Sequence, residues 1–203
     1  MEIKKSAQTL KDMLYLFHQD GAVDVIAGAT LLNFGFDVLG QAESTSLFTW
    51  IPILLLSSIK NKNTMPRLSP FLNEVSDRQL KSWTFIPSVL MILTLILLGV
   101  MMLGDPLNLA QANFLPLAGD FKAFLSFTIL ALICLLPVFW AGLKQFIIYS
   151  IVSFVIAIAS FFILPAAWGV FVIAAVMLVL GGRNMLRFTR QYPLPDLQKP
   201  DEK

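Results

Sequence analysis

The chain has 203 residues, of which 57% are hydrophobic and only 14% charged. A soluble domain carries roughly 25% charged residues, so this composition excludes a water-facing globular surface and points to a lipid bilayer as the solvent. With one histidine and one cysteine, the chain can build neither a multi-histidine metal centre nor an internal disulfide, and its net charge of +2 gives no strong overall field.

The first nineteen residues place Ile3, Ala7, Leu10, Leu14 and Phe17 at helical spacing, with Lys4, Lys5 and Lys11 elsewhere on the turn. This pattern predicts an amphipathic helix on the inner leaflet, held by apolar burial and by attraction to anionic lipid. No continuous apolar core and no small-residue cleavage site occurs there, so a signal peptide is not expected.

Residues 22–40 are long enough for a first span, although they hold Asp24, Asn33 and Asp37. Gly21, Gly28 and Gly35 recur every seven residues, with Asp24 on the same stripe. In lipid such a stripe lets two helix backbones approach closely. A carboxylate on it faces protein rather than acyl chains. Asp24, preceded by Asp20 and His18, therefore has two readings. One is a proton- or cation-binding group inside the bundle. The other is a headgroup-depth residue paired with Lys11, Lys60 or Arg183, which its shallow position favours. Asn33 and Asp37 share a different face near the outer end of the same helix, roughly opposite at 100° per residue.

Residues 46–60 form a shorter apolar segment, a span only if Thr45 and Lys60 reach the headgroups. Segments 22–40 and 46–60 could instead be a re-entrant pair, which keeps the span count even. The loop from Lys60 to Lys81 is basic, and Ser76 with Gln79 resembles a capping box, so the next helix can begin near Asp77. Further spans are predicted at 83–104, 124–142 (with a bend at Pro137), 146–164 and 166–182, the last two joined by a tight corner at Pro165. The fairly apolar loop 105–122 is expected to rest on the outer interface. Residues 183–203 form a basic tail that should be poorly ordered where Pro193, Pro195 and Pro200 lie among charges. The two halves match in neither motif nor loop length, so no internal repeat is read.

Under this segmentation 14 of the 15 basic residues fall on one side and only Lys122 on the other. The positive-inside rule puts both termini in the cytoplasm. Arg183, Arg187 and Arg190 line one helical face below the last span, where lipid phosphate or a partner would meet them. The basic patches are short and their nearest anions are lipids, which argues against nucleic acid.

No catalytic arrangement is assembled. His18 lies outside the membrane, away from any buried serine, and Asp24 and Asp37 are thirteen residues apart on different faces, so they cannot share a proton. Phosphate-loop and dinucleotide fingerprints are missing from the sequence, and no cofactor is expected.

The first seventy residues and the last twenty resemble a group of uncharacterised prokaryotic membrane proteins. The resemblance is carried by Asp20-Gly21-Ala22-Val23-Asp24-Val25-Ile26-Ala27-Gly28 and by Met65-Pro66-Arg67 in the first cytoplasmic loop. The chain departs from that pattern at Leu68-Ser69-Pro70-Phe71, where a glycine-containing aromatic run would be expected. The resemblance implies a helical membrane fold without an established activity, and it adds weight to Asp20, Asp24 and Arg67 as sites.

The sequence therefore predicts an all-α transmembrane bundle of about six spans. An interfacial helix (1–19) precedes the membrane domain (20–182), and a basic tail (183–203) follows it. The protein is expected in the inner membrane, non-enzymatic, acting through lipid, another membrane protein or a second copy of itself. The alternative is a small ion- or proton-coupled transporter using Asp24.

Overall fold

A computed structural model describes residues 12–40, 45–69, 77–102 and 121–194, and every element among them is helical. Residues 12–18 form α1. They are followed by α2 (Ala22–Leu39), α3 (Leu47–Ile59), a π-helical segment (Lys60–Thr64), α4 (Met65–Leu68), α5 (Asp77–Met102), α6 (Phe121–Ala141), α7 (Gln145–Phe162) and α8 (Ala166–Gln191). The apolar-loop expectation for 105–120, the capping box at Ser76 and the tail from residue 195 lie outside the described residues, as do residues 1–11.

Five stretches are long and apolar enough to cross a membrane: Ala22–Leu39, Ser82–Met102, Phe121–Phe139, Gln145–Phe162 and Ala166–Gln191. Their outward faces are apolar in a way water would not tolerate, with Phe139 77% and Phe162 70% exposed. Lipid is the environment in which such surfaces lose nothing.

The α3 segment alone, at thirteen residues, measures about 20 Å against a hydrocarbon core of about 30 Å. Its backbone nevertheless stays helical from Leu47 to Leu68 through the π segment. The start of α3 is tied to Asp37 at one end of α2, and Lys60 reaches Asp20 at the other. The two helices therefore run antiparallel along the length of α2.

The bundle is organised around α2, which packs most extensively on α8, while α6 pairs with α7. The glycines explain the first contact. A methyl added at Gly28 would come within 2.9 Å of Leu178 Cγ and 3.0 Å of the Ala174 carbonyl oxygen. One added at Gly35 would meet the Phe171 ring at 2.7 Å, and Gly21 lies against the Gly181 backbone. In return, a methyl at Gly181 would reach Val25 N at 2.8 Å. Small residues thus let α2 and α8 approach backbone to backbone, where dispersion and not water release holds helices together.

Two helices run beyond their predicted spans. The last continues past residue 182 to Gln191, because no breaker follows Gly182 until Pro193. The helix that holds the span predicted at 83–104 begins at Asp77, the start expected from the sequence. Prolines 52, 87 and 137 are all accommodated inside helices. The chain reverses after α6 at Gly142 (φ 70°), whose amide reaches the Val138 carbonyl at 3.0 Å, and after α7 at Pro165. In α1, Leu14 and Phe17 are buried in the core. The apolar side of residues 12–18 therefore faces the bundle, not the bilayer surface predicted for it, because Trp83 and Lys60 offer that face a partner.

Candidate functional site

The end of the bundle that gathers Lys60, Arg67, Lys144 and the α8 arginines also holds a buried polar cluster. It begins at the α1–α2 junction. Gly21 adopts φ 72°, a left-handed conformation that an L side chain resists, and so turns the chain sharply into α2. That turn projects Asp20 inward, where its Oδ1 accepts the Ala22 amide at 3.1 Å and satisfies an orphan donor of the helix start.

Lys60 completes the arrangement. Its Nζ donates to both Asp20 carboxylate oxygens at 2.8 Å and to the Phe17 carbonyl at 2.5 Å, and stands 4.3 Å from the centre of the Phe17 ring. Thr64, four residues on, donates its hydroxyl to Asp20 Oδ2. Both charged side chains are essentially water-free. Both side chains that bond to Asp20 come from the π segment, the kind of local irregularity that recurs at functional positions in helices.

His18 closes the cluster on the α5 side. Its Nδ1 lies 3.0 Å from the Leu14 carbonyl and its Nε2 3.0 Å from the Trp83 carbonyl. Burial, reinforced by the Lys60 charge, pushes its pKa down to about 4. The imidazole is thus neutral at pH 7 and has one N–H to share between the two carbonyls.

Asp24 lies one turn further along α2 and is equally buried. Its Oδ2 accepts from Gln145 Nε2 at 2.9 Å, and Gln145 Oε1 accepts from Asn184 Nδ2 at 3.1 Å, so one chain of bonds joins α2, α7 and α8. Oδ1 has no hydrogen bond, and neither does the buried Tyr149 hydroxyl, although the two groups are close enough to interact. Among the described residues the basic partner expected for Asp24 is not found: Lys60 is taken by Asp20 and Arg183 is exposed, while Lys11 lies outside the described residues.

The remaining candidates lie elsewhere. Asp37 Oδ2 accepts the Ser46 amide at 2.9 Å and the Thr49 hydroxyl at 2.7 Å, and Asn33 Nδ2 donates to the Phe48 carbonyl at 3.1 Å. Both residues clamp the start of α3 to the opposite end of α2. Arg67 donates to the Tyr192 carbonyl at 2.8 Å and the Thr189 carbonyl at 3.4 Å, closing the carboxyl end of α8 with a cation where the helix dipole favours one. Arg183, Arg187 and Arg190 are exposed and line a shallow groove of about 560 Å³ with Leu178, Val179 and Leu186.

The structure therefore brings Asp20 and Asp24 into one region, separates Asn33 and Asp37 from it, and makes Arg67 a tie between α4 and α8. Gln145, Tyr149 and Asn184 escape a sequence reading that searches for ionisable groups. Their only signal is polarity inside apolar runs, with Gln145 and Tyr149 one helical turn apart. Among the described residues, no group of three or more His, Cys, Asp or Glu side chains is placed to hold a metal ion. Comparison of the chain with known protein families, with curated proteins and with solved structures finds no match.

Proposed function

We propose that the protein is a six-span, non-enzymatic protein of a prokaryotic inner membrane, with both termini cytoplasmic, that acts by binding lipid or protein partners at its basic end. Segment 46–60 supplies the sixth span: α3 runs beside α2 from end to end, and Lys60 brings the chain back to the basic side.

One observation carries the reading. Asp20, Asn33 and Asp37 are spent on internal ties, while Arg183, Arg187 and Arg190 stay exposed beside Leu178, Val179 and Leu186. A strip of apolar residues leading into arginines suits the boundary between acyl chains and phosphates, and guanidinium groups bind phosphate bidentately. The glycine seam between α2 and α8 gives this surface a rigid backing.

The test is native mass spectrometry of the full chain released from nanodiscs of phosphatidylglycerol or phosphatidylcholine. The wild type should retain the anionic lipid selectively, and a variant carrying R183Q, R187Q and R190Q should lose that selectivity. Equal retention of both lipids by the wild type would overturn the lipid arm of the reading.

A second reading, ion- or proton-coupled transport through Asp24, has one specific support: Asp24 Oδ1 and the Tyr149 hydroxyl are both buried without hydrogen bonds. Flux of protons or alkali cations in proteoliposomes that disappears in D24N, with assembly intact, would favour it over the first.

A further inference from the structure

We infer that the crevice between α5 and the α2–α6–α8 face is a site for one acyl chain of an anionic phospholipid from the leaflet on the basic side. The inference rests on the membrane reading above but not on the arginine surface.

The crevice has a volume of about 100 Å³. It begins near His18, Leu143 and Phe146 at the basic end and follows α5 from Ile86 to Leu98. Twelve residues of helix cover about 18 Å, and half of a hydrocarbon core is about 15 Å. The crevice thus has the depth of one leaflet. Ile86 is 40% exposed at its edge, so it opens sideways to the bilayer.

Its walls decide what can enter. Thr94 spends its hydroxyl on the Leu90 carbonyl at 2.7 Å, and His18 is engaged with the Leu14 and Trp83 carbonyls. Thr30 alone among the lining hydroxyls has no hydrogen bond. A ligand rich in polar groups would lose its water and gain almost nothing, at a cost of several kcal/mol. Water itself is not expected in an apolar cavity. The volume also falls well below the roughly 300–1,000 Å³ of pockets for ring-containing ligands, and a second helix, about 10 Å across, cannot enter. A single methylene chain, lying in the crevice with its outer side against the bilayer through the open edge at Ile86, meets the polarity and width limits. At the basic end, exposed Lys144 flanks Leu143 and supplies a cation for the headgroup phosphate.

Cys134 lines the crevice and is the only cysteine in the chain, so its thiol reports occupancy. The full-length protein, stripped of lipid in detergent, should be alkylated by N-ethylmaleimide about tenfold faster than after reloading with excess dioleoyl phosphatidylglycerol. Dihexanoyl phosphatidylglycerol, with the same headgroup but short chains, should give little protection. Ala27 also lines the crevice. The A27F variant, which fills the space, should lose one retained lipid in native mass spectrometry, whereas the triple arginine variant should keep it. Alkylation indifferent to long-chain lipid would overturn the proposal, as would equal protection by phosphatidylcholine or retention of a quinone in place of a phospholipid. The wild-type measurement stands even if A27F fails to fold, and loss of the arginine-dependent selectivity alone would leave the crevice assignment intact.

Discussion

Asp20 and Lys60, forty positions apart in the chain, meet in a bidentate ion pair at 2.8 Å with both side chains sealed from water. Such a pair gains little over a well-packed apolar replacement, because desolvating two charges offsets most of their attraction. Removing one partner is different, since the survivor is left charged and buried. D20N or K60M should each lower stability by about 3–5 kcal/mol, whereas a D20L/K60M double variant should lose much less. Thermal unfolding in detergent, read as a double-mutant cycle, measures the difference. Additive losses would show that the pair does not act as a unit.

His18 predicts a pH response with a definite sign. Its pKa falls from 6.5 to about 4 on folding, mainly through burial and then through Lys60. Between those values the unfolded chain binds a proton that the folded protein refuses, so stability is lost as pH falls from 6.5 towards 4. The full loss from this residue is about 3 kcal/mol. Unfolding midpoints followed across that window should drop for the wild type and less steeply for H18Q. Parallel curves for the two proteins would contradict the assignment.

Gly28 of α2 and Gly182 of α8 should respond oppositely to the same change. A methyl at Gly28 would stand 2.9 Å from Leu178 Cγ and 3.0 Å from the Ala174 carbonyl oxygen, closer than van der Waals contact, so G28A should cost about 1–3 kcal/mol through overpacking. Gly182 has nothing within 4 Å of that position, and alanine is the better helix former by up to about 1 kcal/mol, so G182A should be neutral or stabilising. Chemical denaturation of both variants tests the seam. A tolerated G28A would remove the argument that α2 and α8 pack backbone to backbone.

Much of this arrangement could be read from the chain. Helical membrane segments follow from long apolar runs, and the seven-residue glycine spacing marked the face of α2 that α8 covers. Two things were not legible. Whether an apolar surface meets lipid or protein depends on what the rest of the fold brings to it, so Leu14 and Phe17 looked interfacial until Trp83 was beside them. Pairing of polar groups across helices has no signature at short sequence spacing. Asp24 meets Gln145 across 121 positions, and Lys60 satisfies Asp20, not Asp24, because the Gly21 turn aims Asp20 at the π segment.

Asp24 itself offers the sharpest separation between a structural and a conducting role. Only Oδ2 is hydrogen-bonded, its donor is a neutral amide, and among the described residues no cation pairs with it. If the group serves only to join α2 to α7 and α8, D24N keeps the acceptor for Gln145 and removes a buried charge, so stability should hold or rise by about 1 kcal/mol. D24L, which leaves the Gln145 amide without its acceptor, should cost about 1–3 kcal/mol. A carboxylate that holds a proton or cation as part of transport gives a different pattern. D24N would then lose any stabilisation that added sodium or potassium confers on the wild type, and would abolish flux while leaving assembly unchanged. Unfolding midpoints of the wild type, D24N and D24L measured with and without alkali cations distinguish the two outcomes, and a cation-dependent shift confined to the wild type would replace the packing role with a coupling one.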